Sequence, residues 1–557
     1  MPSDGKSCEE ARSRFDFDFI VVGSGFGGSV AAWRLTEKGY RIAVLEKGRR
    51  WPRETFPRNS WWLHRWFWRP KLALHGFFDM RFFRHVTILY GCAVGGGSIT
   101  YATTSLRPPD KVWQTGAWSS LVNWKAELPR HYDMASYMLG VTHNTILGPA
   151  DDLLKQAARK IGAEGTYYRT NVAIFQGPEG EDGGKTFPDP FFGGAGPTRT
   201  TCIGCGGCMM GCKYGAKNTL DLNYLWLAEK EGAAIFPETR VVDIKPLGGE
   251  PDGNAGYEVQ TTTSTGWFHP RRRSLTSRGV VLAASSLGTM DLLFELKDKR
   301  SLPRISDQLG KHVRTNSESL LAVRTPGIKD DLSKGVAIGS GVYINEHTHI
   351  EAVRYPRGSD TMSLLTTMLT GGVPGSGRVW LWIRNLLGVF VRHPWKTLRV
   401  LQPFGWAREN VVLLCMQALD GNLEMCWRRP WFWPFRKFLA SRGKKVPTYI
   451  PQANSFAEGL AQMTGGTAMS MLPEILFDVP GTAHCLGGCI IAGSREEGVV
   501  DHRHRVFGYK NMYICDGSVI ASNLGVNPSL TITALAERAM SFIPTARENT
   551  WKDSAGV

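Results

Sequence analysis

Two segments near the C-terminal end of the chain carry side chains that could act on an alcohol. His484 lies in the run 483–489, beside a pair of glycines, and Asn527 lies in the run 525–528, ahead of a predicted helix over Thr531–Met540. An imidazole with a pKa of about 6.5 can accept a hydroxyl proton at neutral pH. Free N–H groups at a helix N-terminus favour an electron-rich atom beside them. The two segments therefore predict a proton-transfer site, with a purely structural histidine as the alternative.

Four cysteines in the middle of the chain have the spacing of metal ligands. Cys202, Cys205, Cys208 and Cys212 follow a C-x2-C-x2-C-x3-C pattern with glycines between them. Thiolates at this spacing are typical of a chain that wraps an iron–sulfur cluster. Lys213 stands where a proline usually follows, and the sequence has no second run for the ligand exchange of two-cluster ferredoxins. Three interpretations stay open: a [4Fe–4S] cluster, a zinc ion, or thiols with a structural role.

A glycine-rich loop near the N-terminal end has the sequence of a dinucleotide-binding unit. The loop 23–28 reads GSGFGG; it follows an apolar strand that ends at Val22 and precedes a predicted helix that ends at Gly39. Gly23 permits a sharp turn, Gly25 allows a pyrophosphate to approach the backbone, and Gly28 lets the helix pack closely on the strand. The phosphates would lie at the helix N-terminus. Glu46, at the end of the next predicted strand, could accept hydrogen bonds from ribose hydroxyls.

Three further segments have the same strand-and-turn character. Gly91–Ser98 is a second glycine-rich loop, whose bare backbone could pass close to a flat or anionic ligand or could be a surface loop. Val280–Ala284 is a predicted buried strand that turns into a helix over Met290–Leu296. A predicted strand over Asn511–Ile514 leads into Asp516 and Gly517.

Composition bounds the class of protein and its partners. The chain has 557 residues, 42% of them hydrophobic and 21% charged, which predicts a folded protein of two or three domains. Its net charge is +16, so an anionic surface is a plausible partner, but no nucleic-acid recognition module is present. The start of the sequence has no secretory signal, and no uninterrupted apolar run is long enough to span a membrane, so we expect a cytoplasmic protein.

A basic and aromatic region raises the question of membrane contact. Residues 361–408 contain no Asp or Glu, and they combine Arg and Lys with Trp380, Trp382, Trp395 and Trp406. A second such cluster covers residues 427–433. Aromatic rings and cations suit the headgroup level of a bilayer, which favours peripheral binding to a membrane surface. A buried apolar region with solvated arginines is the alternative.

Five segments together resemble the glucose–methanol–choline (GMC) oxidoreductase family. They are Gly23–Glu46, Gly91–Ser98 with Tyr101, Val280–Thr289, Ala483–Cys489 and Gly517–Arg538, and they occur in family order along nearly the whole chain. The last segment, together with His484, is most similar to the cholesterol oxidase branch. The resemblance implies a flavoprotein that binds FAD and oxidises the hydroxyl group of a hydrophobic alcohol, first of all a 3β-hydroxysteroid or sterol.

The resemblance also implies an architecture. We expect an α/β, Rossmann-like FAD-binding domain in three discontinuous pieces, residues 15–110, 199–303 and 481–545. A second α+β domain, built on an antiparallel sheet, would form the substrate cavity from residues 304–480. Residues 111–198 would form a substrate or cap segment.

Site residues follow from the resemblance as well. His484 and Asn527 are expected to face the substrate hydroxyl, and Glu351 is a candidate for shifting the sterol double bond. Ser529 departs from the aromatic residue of well-studied cholesterol oxidases, which leaves the cavity shape and oxygen access open. The residues expected to bind FAD are Gly23, Gly25, Phe26, Gly28, Glu46, Gly95, Gly96, Gly97, Ser98, Val241, Asp516, Gly517, Asn527 and Pro528.

Two alternatives and the electron acceptor stay open at this point. The substrate could instead be a long-chain or terpenoid alcohol. From another class, the chain could be an electron-transfer flavoprotein with an iron–sulfur cluster, although a hydroxyl-binding pair would have no use there. The acceptor of the electrons could be oxygen or a carrier protein.

Overall fold

The apolar run before the first glycine loop forms the centre of a mixed, seven-stranded sheet. The computed structural model describes residues 14–266, 270–373, 377–419, 421, 423–430, 435–443 and 446–548. The strand Phe17–Val22 pairs in parallel with Ile42–Leu45 on one side and with Arg272–Leu282 on the other. The outer strands are Ala234–Phe236, Tyr257–Thr263, Thr239–Pro246 and Met512–Ile514, of which Tyr257–Thr263 and Thr239–Pro246 run antiparallel. The strands from opposite ends of the chain thus share one sheet.

Two helices hold the N-terminal and C-terminal parts of this unit together. The helix Phe26–Glu37 packs against the helix Ser529–Ser541. Arg34 on the first helix forms a 2.7 Å ion pair with Glu537 on the second, and Tyr224 donates a 2.6 Å hydrogen bond to the same carboxylate. Because these groups are largely buried, losing one partner would leave a costly unpaired charge.

A second seven-stranded sheet is antiparallel. Its strand order is Thr366–Met368, Thr467–Met471, Ser319–Arg324, Asn410–Gln417, Thr348–Val353, Ile338–Tyr343 and Tyr168–Arg169. Successive side chains of a strand point to opposite faces. Leu321 and Leu413 accordingly pack under the helices Pro149–Lys160 and Pro451–Thr464, whereas Ala322 and Leu414 belong to a separate apolar cluster on the other face. That second face lines the cavity described below.

Shorter elements complete the described chain. The remaining helices are Leu63–Trp66, Gly97–Thr100, Trp124–Met138, Tyr224–Lys230, Ser285–Asp298, Val379–Arg392, Pro394–Leu401, Trp406–Glu409 and Leu472–Leu476. The remaining strands are Trp68–Arg69, Leu74–His75, Phe78–Phe82, Thr87–Gly91, Thr142–His143, Asn171–Val172, Thr186–Phe187, Arg199–Thr200, Leu423–Arg428, Phe438–Gly443 and Gly481–Thr482. In the part of the chain that the structure describes, every helix is too short or too polar to cross a bilayer.

The predicted fold class is confirmed: a Rossmann-like α/β unit stands beside a unit built on an antiparallel sheet. The helices begin at Phe26, Ser285 and Ser529, a few residues earlier than predicted, because each helix starts within the turn that precedes it. The exact domain boundaries stay a prediction. The second basic and aromatic cluster falls partly on residues 431–434, which lie outside the described residues.

Candidate active site

A cavity of about 1300 Å³ lies between the two large sheets. One wall is formed at the carboxyl ends of the parallel strands, where Val22 and Leu45 lie. The opposite wall is one face of the antiparallel sheet. Ligands of open α/β sheets bind outside the carboxyl ends of the strands, so the cavity occupies the expected position.

The first glycine loop leaves room for a ligand at only one of its key positions. A Cβ atom on Gly23 would lie 2.3 Å from the carbonyl oxygen of Ala283, and one on Gly28 would lie 2.1 Å from the carbonyl oxygen of Gly23. A Cβ atom on Gly25 would meet no atom within 4 Å, because this glycine borders the cavity. The loop therefore packs tightly against the protein at Gly23 and Gly28. It is open toward the cavity at Gly25, at the N-terminus of the helix Phe26–Glu37.

The second glycine loop lies directly against the first. A Cβ atom on Gly96 would come within 2.5 Å of the Cα atom of Gly25. Gly96 and Gly97 line the cavity, whereas Gly95 and Ser98 do not. The Ser98 hydroxyl donates to the Gly95 carbonyl at 2.7 Å and accepts from the Leu220 amide at 3.0 Å. Gly95 and Ser98 therefore shape the loop from behind, as Gly28 does for the first loop.

Two buried carboxylates border the same part of the cavity. Glu46 accepts hydrogen bonds from the Ser24 amide at 3.0 Å and from the Gly48 amide at 2.8 Å. Asp516 accepts from the Ser518 amide at 2.9 Å and from the Thr289 hydroxyl at 2.5 Å, and burial raises the pKa of its carboxyl group. These bonds fix the orientation of both carboxylates at the wall of the cavity.

The predicted cofactor residues form one continuous surface. Eleven of them line the cavity: Gly23, Gly25, Phe26, Glu46, Gly96, Gly97, Val241, Asp516, Gly517, Asn527 and Pro528. They combine an open helix N-terminus, two bare backbone loops and fixed carboxylates. This donor set fits FAD: Gly25 would receive the pyrophosphate, and the two carboxylates would receive the sugar hydroxyls.

His484 lies where the cofactor half of the cavity meets the apolar half, and it is held by a carboxylate that the sequence analysis missed. Its Nδ1 atom is paired with Oε1 of the buried Glu318, and its amide donates a 2.9 Å bond to the Thr482 hydroxyl. Burial lowers the pKa of His484, but the Glu318 carboxylate, with a smaller contribution from Glu351, outweighs this effect, so the pKa lies above its ordinary value. With Nδ1 engaged, Nε2 is the nitrogen that can meet a ligand.

Asn527 lines the cavity beside His484, and Glu351 contacts Asn527 without lining the cavity. The Asn527 Nδ2 atom donates to Glu351 Oε2 at 3.3 Å, while Asn527 Oδ1 and Glu351 Oε1 are buried and have no hydrogen-bond partner in the described structure. Burial raises the pKa of Glu351 to about 7, against the opposing effects of Asn527 and His484. The structure thus brings the three predicted catalytic residues together. Glu351, however, contacts the side-chain amide of Asn527 and does not reach the cavity surface.

A strained turn positions Glu318. Asn316 and Ser317 have φ angles of +54° and +46°, in the left-handed region that non-glycine residues rarely adopt. Asn316 donates to the Val526 carbonyl at 2.9 Å and accepts from the Gly525 amide at 3.2 Å. The same asparagine therefore ties the segment of Glu318 to the segment of Asn527. The only sequence signal for the role of Glu318 was the polar run 316–319, NSES, ahead of an apolar strand.

The other half of the cavity is apolar. The face of the antiparallel sheet and its neighbours contribute Leu320, Ala322, Ile338, Val353, Tyr355, Met362, Trp406, Val412 and Leu414. Trp61, Leu63, Phe82 and Leu364 also line the cavity and are exposed at its opening. A hydrophobic ligand could thus enter from the surface and place a polar end at His484 and Asn527.

The four cysteines of the metal-like pattern surround a second, small cavity. Cys202, Cys205, Cys208 and Cys212 line it together with Lys217. Among the described residues, no group of three or more His, Cys, Asp or Glu side chains is arranged to hold a metal ion. The structure therefore gives no support to the predicted iron–sulfur cluster or to the zinc ion.

Similar proteins are known, and they belong to one family of oxidoreductases. A family model described as GMC oxidoreductase matches residues 445–536, and one described as NAD(P)-binding Rossmann-like domain matches residues 21–86. A cholesterol oxidase of Acinetobacter baumannii is 56% identical over 96% of this chain and 95% of its own length. A cholesterol oxidase of Mycobacterium tuberculosis is 43% identical over 96% of this chain and 92% of its own length. A long-chain-alcohol oxidase of Arabidopsis thaliana is 23% identical over 97% of this chain and 69% of its own.

Solved structures agree on the fold. Pyridoxine 4-oxidase from Mesorbium loti superposes with a TM-score of 0.59 at 14% identity, covering 94% of this chain and 98% of its own. A fungal aryl-alcohol oxidase superposes with a TM-score of 0.55 at 14% identity, covering 95% and 98%. At this identity the likeness concerns the fold alone.

Proposed function

We propose that this chain, which belongs to the cholesterol oxidase-like branch of the GMC oxidoreductase family, oxidises a sterol or another 3β-hydroxysteroid to the ketone. It is an FAD-dependent alcohol oxidoreductase. The observation that carries the substrate class is the apolar half of the cavity, which ends at His484 and Asn527. A rigid, largely apolar ring system with one hydroxyl group matches that distribution of surface. Relatives named cholesterol oxidase support the same choice.

His484 is the base of this proposal. Its Nε2 atom accepts the hydroxyl proton, while Glu318 holds Nδ1 and stabilises the imidazolium that forms. A buried carboxylate next to the imidazole favours the charged product of proton transfer over the neutral reactant. When bound, FAD supplies the acceptor for the hydride that leaves the carbinol carbon.

Asn527 is the second polar contact for the substrate oxygen. Its side chain lines the cavity, and its amide is oriented by the bond to Glu351. Glu351 is therefore proposed first as a positioning residue. A shift of the sterol double bond would need Glu351 to reach a ring carbon, which in turn needs Asn527 to move aside.

Oxygen is the proposed electron acceptor, because the relatives that share most of the chain are named oxidases. Each turnover would then remove two electrons and two protons from the alcohol and deliver them to oxygen, giving one ketone and one hydrogen peroxide. A carrier protein is the competing acceptor.

A membrane surface is the proposed source of the substrate. The helix Val379–Arg392 has no buried residue, and Trp380 and Trp395 are 83% and 82% exposed. Trp61, which lines the cavity, stacks at 6.4 Å on Phe404, which follows the second helix of this hairpin, Pro394–Leu401. The exposed rings and the arginines of an acid-free segment suit an anionic bilayer. Sedimentation with vesicles of anionic lipid should carry down the protein, and a Trp380→Ser/Trp395→Ser variant should stay in solution.

The substrate proposal is tested by an anaerobic reaction. Cholesterol in detergent is added to the purified holoenzyme, and the visible absorbance of the flavin is followed. Bleaching is expected, and admission of air should restore the band with formation of hydrogen peroxide. A band that cholesterol leaves unchanged, while a long-chain primary alcohol bleaches it, would transfer the proposal to that second substrate class, which the 23% identical plant relative represents.

A further inference from the structure

We infer that Tyr168 and His349 form a hydrogen-bonded pair that serves Glu351, through one water molecule, both when this carboxyl group is ionised and when it is protonated. Glu351 is the buried acid beside Asn527, and its Oε1 atom has no hydrogen-bond partner in the described structure. A buried polar atom without a partner is costly. The role of the pair in catalysis rests on the proposed function, but its effect on the Glu351 carboxyl group does not.

Strand pairing places these residues on one face of the antiparallel sheet. Gly341 is paired with Tyr168 on one side and with Glu351 on the other. Side chains of directly paired residues share a face. His349 shares it too, because it precedes Glu351 by two positions on the strand Thr348–Val353. The same face lines the cavity farther along the sheet.

The pair lies in the space that a side chain on Gly341 would fill. A Cβ atom on Gly341 would lie 2.7 Å from the Tyr168 hydroxyl oxygen and 2.8 Å from Nε2 of His349. Since the Cβ atoms of directly paired residues lie about 4.5–5.5 Å apart, the hydroxyl oxygen lies within about 8 Å of the Glu351 Cβ atom. A glutamate side chain and one water molecule span that distance.

The neighbouring side chains hold the pair in place. The Tyr168 hydroxyl oxygen and Nε2 of His349 are 2.6 Å apart. The His349 ring is buried and stacks on Tyr343, with the ring centroids 4.6 Å apart. Burial lowers the pKa of His349 to about 3. The imidazole is therefore neutral, with one donor nitrogen and one acceptor nitrogen.

A neutral imidazole gives the pair two hydrogen-bonding states. With its proton on Nε2, His349 donates to the Tyr168 oxygen, and the tyrosine hydroxyl is free to donate toward an ionised Glu351. With the proton on Nδ1, the hydroxyl donates to Nε2, and its oxygen accepts through the water from a protonated Glu351. The Gly525 carbonyl partly offsets the effect of burial on the pKa of His349, as an acceptor for the Nδ1 proton would.

The charges around Glu351 agree with this arrangement. Burial raises the pKa of Glu351 to about 7, the bond from the neighbouring amide and the charge of His484 oppose the rise, and Glu318 adds to it. Both forms of the carboxyl group are therefore present near neutral pH. On the sheet side, burial and then the charge of Glu351 raise the pKa values of Tyr168 and Tyr343.

Infrared spectroscopy of the substrate-free holoenzyme tests the inference. The C=O stretching band of protonated carboxyl groups is followed with pH, and Glu351→Gln identifies the part that belongs to Glu351. In the wild type, half of that part should be lost at about pH 7. In Tyr168→Phe the midpoint should rise by about one pH unit, because the carboxylate loses a charge-assisted hydrogen bond. Tyr167→Phe is the matched control, since Tyr167 packs against the core on the other face of the sheet; it should leave the midpoint unchanged.

An unchanged midpoint in Tyr168→Phe would overturn the inference, as would a Glu351 band that does not titrate in the wild type. Gly341→Ala is a second variant: its methyl group would displace the pair, so the same upward shift is expected. It decides if Tyr168→Phe fails to fold. With cholesterol, the acidic limb of conjugated-ketone formation should move to higher pH by the same amount. Failure of the sterol assay would leave the infrared result unchanged, so the two proposals fail separately.

Discussion

The two halves of the large cavity are lined by different parts of the chain, one mainly by backbone and the other mainly by side chains. The cofactor half is mostly backbone: two glycine loops touch at Gly96 and Gly25, and an open helix N-terminus faces the space. The substrate half is made of side chains from one face of the antiparallel sheet. His484 lies at the junction, held by Glu318 from the substrate unit. In this chain, backbone geometry shapes the cofactor half of the cavity, while side chains shape the substrate half.

The largest expected effect on ligand binding belongs to the backbone half. Gly25→Val would place a side chain in the open space in front of the loop, where the pyrophosphate is proposed to bind. We expect FAD affinity to fall on the order of 100-fold, about 2.7 kcal/mol, in a titration of the apoprotein followed by flavin fluorescence. Gly459→Val is the matched control, since a Cβ atom there also meets no atom within 4 Å, but in a helix outside the cavity lining. Equal FAD affinity in both variants would contradict the assignment of this half.

The second largest effect is expected at His484, where the two halves meet. Glu318→Gln keeps the shape of the side chain but removes the charge that raises the pKa of His484. His484 must be neutral to accept a proton, so the activity of the wild type should rise with pH through that raised pKa. In the variant this acidic limb should move to lower pH, and kcat should fall roughly 10- to 100-fold at the plateau. The pH profile of kcat/KM for cholesterol is the measurement, with Glu424→Gln, a half-buried carboxylate outside the cavity lining, as control. An unshifted limb would show that Glu318 does not act through His484.

A smaller effect on the oxidation rate is expected at Glu351, which contacts Asn527. Glu351 contacts Asn527 but does not line the cavity, so Glu351→Gln should lower the oxidation rate less than about tenfold. If Glu351 also shifts the double bond, the conjugated ketone should disappear from the product while the unconjugated ketone accumulates. Product analysis by chromatography separates the two. Loss of oxidation as severe as in a His484 variant would mean that Glu351 is the base.

The smallest effect belongs to the apolar half. Val353→Phe adds volume on the cavity face of its strand, where Ala322 and Leu414 are neighbours in the same cluster. KM for a sterol should rise about threefold to tenfold, equivalent to about 0.7–1.4 kcal/mol, because the larger ring narrows the space for the substrate, while FAD content stays unchanged. The ratio of kcat/KM for cholesterol to that for a linear alcohol is the sensitive readout. A fall in FAD content instead would mean that the two halves are not separable.

The same contrast explains what could be predicted from the sequence. The glycine loop could be recognised because Gly23 and Gly28 are required by local contacts within a few residues and one neighbouring strand. His484 and Asn527 could be proposed because they resemble family motifs. Glu318 could not, because its importance arises from a left-handed turn and from sheet pairing that bring it to a histidine 166 residues away.

Glu351 shows the limit from the other side. The family resemblance made Glu351 a catalytic candidate, and strand alternation does turn it toward the cavity face, since it lies two residues before Val353 on the same strand. Only the packing of Asn527 in front of it could show that it lies one layer back. The substrate lining was likewise dispersed over five strands and their connections, with no local pattern to identify it.

The central claim is that His484, at the junction of the two halves, takes the proton of the alcohol. It is tested most directly by rapid anaerobic mixing of cholesterol with FAD-loaded wild type and with FAD-loaded His484→Ala, following the rate of flavin bleaching. We predict that the variant binds FAD as the wild type does and is reduced about 100- to 10,000-fold more slowly. A variant that cholesterol reduces at the wild-type rate would contradict the account.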